Sequence, residues 1–201
     1  LNLNKMNRTF IKNFTTLIKH ETLSTNKKIS IITLNNPQKR NALSFEMLTE
    51  LKNAIANVNK DYENGKCSLV IISAEGSVYS SGHDLKQINS SSEEKQKEIF
   101  SLAEDVCLSI RNSKSIFIAE VFGLAAAAGC QLSSACDLTI ASNLSGFSCP
   151  GIKVGLFCST PGVPLSRLVS PKQAMHLLLT GDTIDAQKAY EWGLINSIVK
   201  K

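Results

Sequence analysis

The stretch Gly123-Leu-Ala-Ala-Ala-Ala-Gly-Cys-Gln-Leu-Ser-Ser-Ala-Cys-Asp137 places four consecutive alanines between two glycines. It follows an apolar segment, Ile116–Phe122, whose composition predicts a buried strand. Such small residues let another backbone or a ligand approach closely, and a helix that begins among them presents backbone N–H groups at its N-terminus. Amides in that position can hold an oxyanion or a phosphate. Small residues are equally expected where a helix packs tightly beneath a sheet, so this stretch alone leaves both interpretations open.

Predicted strands and helices alternate on both sides of this stretch. Buried strands are predicted at 29–34, 68–73 and 138–141, and Ser44 is a good N-cap for a helix. The segment 147–162 is predicted to be irregular and to be followed by short helices. The predicted buried residues of the two long helices are Met47, Leu48, Leu51, Ile55 and Val58, and then Ile99, Leu102, Ala103, Val106, Cys107 and Ile110.

This alternation predicts an α/β domain whose ligand site lies at the strand ends. The chain has no Gly-x-Gly-x-x-Gly and no Gly-x4-Gly-Lys-Ser/Thr, which argues against a nicotinamide enzyme and a P-loop NTPase. It also has no Gly-x-Ser-x-Gly, which argues against a serine hydrolase.

Composition limits the classes of partner. The formal charge of the 201 residues is +5, but six basic residues lie near the two ends of the chain, and the remaining 16 face 17 acids, so no nucleic-acid partner is expected. Six cysteines without a Cys-x-x-Cys pair fit a reducing compartment, and no metal site is expected. No apolar run is long enough to predict a membrane span.

Residues 1–26 resemble a mitochondrial presequence because they are basic, hydroxylated and, up to Lys19, free of acids. Phe10, Phe14 and Ile18 fall on one face of the helix that this pattern predicts. A disordered or docked arm is the alternative. The folded domain is predicted to span 27–201 and to be incomplete at its C-terminus, because the chain ends directly after a predicted strand.

Several segments together resemble the enoyl-CoA hydratase/isomerase (crotonase) superfamily. They are Asn36-Pro-Gln-Lys-Arg-Asn-Ala-Leu43, Ser80-Ser-Gly-His-Asp-Leu-Lys86, Gly123-Leu-Ala-Ala-Ala-Ala-Gly-Cys-Gln131 with Cys136-Asp137, and Gly155 through Pro161-Gly162. The resemblance covers roughly residues 27–199. It implies a spiral of stacked ββα turns, a mitochondrial matrix protein, a homotrimer or a dimer of trimers, and a coenzyme A thioester as substrate or ligand without a separate cofactor.

The resemblance also implies roles for individual residues. The backbone N–H groups of His83 and Ala128 would form the oxyanion hole that polarises the thioester carbonyl. The expected coenzyme A contacts are Lys39, Arg40, Ser81, Gly82, Asp84 and Lys86.

Two positions depart from the family pattern. Hydratases use two glutamates around one water, and here these positions hold Gln131 and Gly151. An amide has no useful basicity and glycine has no side chain, so ordinary hydration of an enoyl thioester is not expected. Two hypotheses remain open: an acyl-CoA enzyme of mitochondrial fatty-acid metabolism that needs no glutamate pair, or a non-catalytic acyl-CoA-binding or regulatory protein.

Other side chains near these motifs have both a chemical and a structural interpretation. Asp84 could accept a proton or cap the following helix, and His83 could titrate at the site or be a solvated loop residue. Cys158, Ser159 and Thr160 could turn a thiol or hydroxyl toward the acyl pocket, although no base is evident beside them. The remaining thiols of this region are predicted to be core residues: Cys130, Cys136 and Cys149.

Overall fold

Within the part of the chain that the structure describes, ten strands form two sheets. The computed structural model describes residues 16–23 and 28–200. The strands in chain order are β1 (Ile18–Thr22), β2 (Ile29–Leu34), β3 (Leu69–Ala74), β4 (Val78–Ser80), β5 (Ile116–Val121), β6 (Leu124–Ala126), β7 (Leu138–Ser142), β8 (Gly146–Ser148), β9 (Ile184–Asp185) and β10 (Ser197–Val199). The six-stranded sheet has the order β1-β2-β3-β5-β7-β10 and the four-stranded sheet the order β4-β6-β8-β9.

The helices lie between these strands. They are α1 (Phe45–Glu63), α2 (Leu85–Ser90), α3 (Glu93–Arg111), α4 (Ala128–Ala135), α5 (Ser159–Leu168), α6 (Pro171–Thr180) and α7 (Ala186–Glu191). Two short 3-10 helices occur at Pro37–Lys39 and Pro150–Val154. Among the described residues no helix is both long and apolar enough to cross a bilayer.

The order of the strands produces a spiral. From β3, β5 and β7 of the large sheet the chain passes directly into β4, β6 and β8 of the small sheet, and then into helices. Because β3, β5 and β7 are parallel neighbours in one sheet, and β4, β6 and β8 in the other, each circuit stacks on the one before it. This is the predicted succession of ββα turns, and the α/β fold class is confirmed.

The core lies where the large sheet meets α1 and α3. Ile32 of β2 is aligned with Ile72 of β3, which is aligned with Ala119 of β5, and all three are fully buried. Ser44 caps α1 by accepting a hydrogen bond from the Met47 amide, as predicted. The predicted stripes are confirmed in α1, where all five residues are buried, and in α3, where Leu102 and Cys107 are only half-buried.

The folded part begins earlier than the boundary predicted at residue 27. Residues 18–22, expected in a presequence or arm, form β1 and pair antiparallel with the edge of β2, with Ile18 opposite Leu34. Ile18, which the amphipathic pattern placed on a helix, is buried in this strand. The pattern could not show this, because the partner that makes the segment a strand is β2, which lies outside the amphipathic segment. Residues 1–15, which carry most of the presequence prediction, lie outside the described residues.

The prediction of an irregular segment at 147–162 was wrong in part. Gly146–Ser148 is β8, and α5 already begins at Ser159. Pro161 is tolerated because the first turn of a helix has no intrahelical acceptors for its N–H groups. Pro164 lies farther inside the helix, in a part that was predicted to be helical.

Gly123 joins β5 to β6 at the closest backbone approach in this part of the fold. Its φ of +76° is in the left-handed region, and a Cβ built there would overlap the Ser77 carbonyl group that precedes β4. Gly65 has a similar φ of +69°, but nothing lies within 4 Å of the same position. Comparing an alanine substitution at Gly123 with one at Gly65 therefore separates the energetic cost of the backbone conformation from that of steric overlap.

We expect Gly123→Ala to lower the free energy of unfolding by about 3 kcal/mol or more, because it adds overlap to an unfavourable φ. Gly65→Ala should cost about 1 kcal/mol, since only the backbone term applies. Urea denaturation of both variants measures the difference. Equal losses in the two variants would contradict the close approach at Gly123.

Candidate active site

The two loops that carry the predicted oxyanion amides are in direct contact. Gly82 has a φ of +88°, and a Cβ built there would lie 2.9 Å from the Ala127 Cβ and 3.2 Å from the Ala128 nitrogen. Because a side chain would push the loops apart, glycine is required for this approach. The structure therefore brings the backbone on either side of Gly82 next to the N-terminus of α4.

The alanine run enters α4 through a strained residue. Ala127 has φ 49° and ψ −119°, a conformation that non-glycine residues rarely adopt, and such residues cluster at functional sites. Its N–H donates to the Ser148 carbonyl at 2.9 Å and its carbonyl accepts from the Gln131 N–H at 3.0 Å. Ala128 is the first helical residue, so its N–H belongs to the turn that lacks intrahelical acceptors.

The loop around Gly82 is fixed from the other side. The Ser80 hydroxyl accepts from the Gly82 N–H at 3.2 Å and donates to the Asn41 carbonyl at 2.8 Å. The Leu43 N–H donates to the Gly82 carbonyl at 2.8 Å, and Leu43 and His83 form a single parallel bridge. These bonds set the direction of the backbone at His83, the second predicted oxyanion donor.

Asn41, which sequence analysis did not single out, organises this loop. It is fully buried, and its side chain accepts from the Asn36 N–H and donates to the carbonyls of Glu75 and Val78, all at 2.8–2.9 Å. Its φ of +49° is one that asparagine tolerates better than most residues. The one sequence signal for this role is that Asn41 directly precedes the apolar residues Ala42 and Leu43 in the motif Asn36–Leu43.

The His83 side chain is enclosed rather than solvated. Its ring packs edge-on against Phe100 with 4.9 Å between the ring centroids, and both ring nitrogens are buried without a hydrogen-bond partner. Burial lowers the pKa of His83, and this effect is larger than that of the Leu43 backbone, which raises the pKa. The ring is therefore neutral at pH 7. The interpretation of His83 as a solvated loop histidine is therefore wrong.

Asp84 caps a helix. Its carboxylate accepts from the N–H groups of Lys86 and Gln87 at the start of α2, which is the structural interpretation given above. The Lys39 ammonium lies 3.9 Å away but is mostly exposed, so this ion pair contributes little to stability.

Backbone hydrogen bonds join the loops that carry the predicted coenzyme A residues into one rim. The Arg40 carbonyl accepts from the Ser81 N–H at 3.0 Å, which joins the loop of Lys39 and Arg40 to the loop of Ser81 and Gly82. The Lys86 N–H donates to the Asp84 carboxylate, and the side chains of Lys39, Arg40 and Lys86 are all exposed.

Gln131 lies one turn into α4 and lines a small cavity. The residue is 8% exposed, its Oε1 has no hydrogen-bond partner, and its amide lies within hydrogen-bonding contact of the Cys107 thiol. Burial raises the pKa of Cys107 to about 12, so this thiol stays protonated. The cavity offers about 10 Å³ to the centre of a water molecule, room for about one water. It is lined by Leu43, Leu48, Leu51, Ala103, Val106, Cys107, Ala128, Gln131 and Leu132.

Gly151, the other position without a carboxylate, has no space for one. A Cβ built there would lie 2.7 Å from both the Leu156 carbonyl oxygen and the Cys158 sulfur. Because one of these atoms belongs to the backbone, a side chain at residue 151 requires the segment 156–158 to move. Ser159 and Thr160 are exposed on the first turn of α5, whereas Cys158 is half-buried.

The thiols predicted to be core residues, those of Cys130, Cys136 and Cys149, are buried, as predicted. Across residues 16–23 and 28–200 no group of three or more His, Cys, Asp or Glu side chains is arranged to hold a metal ion.

Comparison with known proteins places this geometry in a family. The profile of the enoyl-CoA hydratase/isomerase family matches residues 24–201. Human enoyl-CoA hydratase domain-containing protein 3, mitochondrial, is 48% identical over 169 residues, which are 84% of this chain and 55% of that protein. Crotonyl-CoA hydratase of Syntrophomonas wolfei is 33% identical over 183 residues, 89% of this chain and 68% of that protein. The chain thus spans about half the length of the first of these relatives.

Solved structures agree. A crystal structure of human enoyl-CoA hydratase domain-containing protein 3 superposes with a TM-score of 0.85 at 44% identity, covering 92% of this chain and 71% of that one. An enoyl-CoA hydratase from Mycobacterium smegmatis gives a TM-score of 0.87 at 39% identity, covering 92% and 70%. Because the family profile covers most of the chain and these folds coincide, the chain belongs to the enoyl-CoA hydratase/isomerase family.

Proposed function

We propose that this protein binds an acyl-CoA thioester through two backbone N–H groups, those of His83 and Ala128, and does not hydrate enoyl thioesters. The observation that supports it most is the contact of Gly82 with Ala127 and Ala128, which brings the two donor loops together. Two preorganised amides stabilise a developing oxyanion without reorganisation, and each such donor contributes about 3 kcal/mol in enzymes of this kind.

The rim described above supports coenzyme A as the carrier group. Lys39, Arg40 and Lys86 are exposed cations on adjacent loops, suited to the phosphates of coenzyme A. Asp84, which was predicted to contact coenzyme A, contributes by fixing the loop, because its carboxylate is occupied by backbone N–H groups.

The chain lacks the two carboxylates that serve as acid and base in a hydratase. Gln131 offers a buried carbonyl oxygen and an amide, neither of which abstracts a proton at neutral pH. Gly151 cannot carry a carboxylate without moving Leu156. The reactions that remain are those of a thioester enolate or acyl group: isomerisation, decarboxylation or hydrolysis. Non-catalytic binding is the second candidate, and the same two substitutions favour it.

The names of the relatives support a proposal for the cell compartment, and the exposed surface supports one for the assembly. The human, rat and zebrafish relatives are all named mitochondrial. We extend this to a role of the present protein in fatty-acid metabolism in the mitochondrial matrix, as a homotrimer or a dimer of trimers. Exposed apolar side chains close together in sequence, Val154, Leu156, Phe157 and Val163, give a surface on which such an assembly can form.

Calorimetry with acetyl-CoA, crotonyl-CoA and free coenzyme A tests the proposal. We expect both thioesters to bind more tightly than free coenzyme A, because only they place a carbonyl at the two amides. The crotonyl-CoA solution should show no loss of its enoyl absorbance. Lack of thioester binding would refute the proposal, and hydration would refute the role assigned to Gln131 and Gly151. Turnover of another thioester would decide against the non-catalytic candidate.

Gly82→Ala should weaken thioester binding at least about tenfold, because the added methyl group separates the donor loops. Gly155→Ala is the matched control, since Gly155 has a φ of +78° but nothing within 4 Å of a Cβ. Both variants bear a similar backbone cost, but only Gly82→Ala adds steric overlap, so calorimetry is performed at a temperature at which thermal unfolding shows both variants to be folded. If Gly82→Ala does not fold, Ser80→Ala, which removes the hydrogen bond to the Gly82 N–H, replaces it. Equal affinity in Gly82→Ala and Gly155→Ala would contradict the geometry.

A further inference from the structure

The ring of His83 carries two buried nitrogen atoms that its surroundings do not satisfy. Both are shielded from solvent, and neither has a hydrogen-bond partner among the residues that the structure describes. Because a polar atom that is buried without a partner is costly, a native protein keeps one mainly where a ligand, a water or a reaction needs it. Of the three histidines in the chain, only His83 lies on a donor loop, since His20 belongs to β1 and His176 to α6.

Covalent geometry keeps this ring close to the proposed oxyanion. The amide that would hold the thioester oxygen is that of His83 itself, and the ring is joined to its nitrogen through only Cα and Cβ. The ring atoms therefore lie within about 6 Å of the donor nitrogen. The α-carbon of a bound acyl group, which is bonded to the carbonyl carbon, also lies within about 6 Å of that nitrogen.

The ring is turned toward the helix that borders the cavity described above. It packs edge-on against Phe100 of α3, with 4.9 Å between the ring centroids. Ala103 lies three residues later, on the same side of the helix, and lines the cavity together with Ala128. Leu43, which is bridged to His83, lines the cavity as well. The ring and the cavity therefore share one face of α3, next to the start of α4.

The surroundings keep the imidazole neutral, the form in which one ring nitrogen can accept a proton. Burial lowers the pKa of His83, and the smaller effect of the Leu43 backbone raises it. Neither of these causes is a neighbouring charge. The charged and titratable side chains on the elements around the ring are Lys39, Arg40, Asp84, Lys97, Glu104 and Cys107.

The other groups of the site are less suited to take a proton. The Asp84 carboxylate is occupied by two backbone N–H groups of α2. Burial raises the pKa of Cys107 to about 12, so its thiol stays protonated. The Gln131 amide has no useful basicity. His83 is therefore the side chain of the site that combines basicity with an unoccupied nitrogen.

Resting on the proposed function, we propose that His83 is a catalytic base that removes a proton from the α-carbon of the bound acyl group. The imidazole nitrogen takes the proton, and the electron pair of the C–H bond forms the C=C bond of an enolate. The π electrons of the carbonyl move to the thioester oxygen, which the N–H groups of His83 and Ala128 hold. Return of the proton from the imidazolium regenerates the thioester.

This step names the substrate class, a coenzyme A thioester with at least one hydrogen on its α-carbon. It also separates the reactions left open above. Isomerisation of an unsaturated acyl group begins with this proton transfer, whereas hydrolysis and decarboxylation do not require it.

Exchange of the acetyl hydrogens of acetyl-CoA in D₂O tests the role of His83. We expect the methyl proton signal to disappear as deuterium enters, without loss of the thioester. His83→Gln keeps the backbone N–H but lacks a base, so exchange should slow at least about a hundredfold while calorimetry shows an affinity within about threefold. His176→Gln is the matched control, because His176 also packs edge-on against an aromatic ring, that of Trp192, but lies on α6. This variant should exchange at the wild-type rate.

The pH dependence of exchange gives a second measurement, which also serves if His83→Gln does not fold. Because burial lowers the pKa of His83, the rate should rise with pH and be half-maximal below the usual histidine value of about 6.5. Phe100 is itself 41% exposed, so Phe100→Ala opens the ring to water. Its half-maximal pH should therefore move up toward 6.5. An unmoved midpoint would overturn the assignment.

The outcomes separate this role from the proposed function. Binding of acetyl-CoA without exchange, or equal exchange in wild type and His83→Gln, would overturn the role of His83 and leave thioester binding intact. Lack of acetyl-CoA binding to the wild-type protein would refute the proposed function and, with it, this role.

Discussion

The site depends on two backbones approaching each other more closely than side chains allow. A Cβ built at Gly82 would lie less than 3.3 Å from atoms of both Ala127 and Ala128. This approach needs supports on both sides, and the structure supplies them through the buried Asn41 and Ser80 on one side and the Ser148 carbonyl on the other. The conformational cost at Ala127 is offset by the packing of the ββα turns. The strands β4, β6 and β8, which lead to Gly82, to Ala127 and to Ser148, are held in one sheet.

Much of this could be predicted from the sequence because local and global signals agree. Buried strands of β-branched residues and two helices with clear apolar stripes gave the fold class, and four motifs in register gave the family. Predictions based on local composition were wrong where a distant partner decides the structure. The strand at Ile18–Thr22, which depends on β2, is such a case.

For the site, the residue types could be predicted from the sequence, but their surroundings could not. That Gln131 and Gly151 lack carboxylates was evident, yet the absence of space at Gly151 follows from the position of Leu156 and Cys158. One interpretation of His83 was a solvated loop residue, but Phe100 on α3 packs against its ring.

The position of β1 has a consequence for proteolytic maturation. Ile18–Thr22 is the outer strand of the large sheet, and it hydrogen-bonds along β2 from Ser30 to Leu34. A processing protease that cut on the C-terminal side of Ile18 would strip this strand and leave the row of N–H and C=O groups on β2 unpaired, an edge that favours aggregation. For β2 to stay paired in the mature protein, any leader peptide would therefore have to be removed upstream of β1.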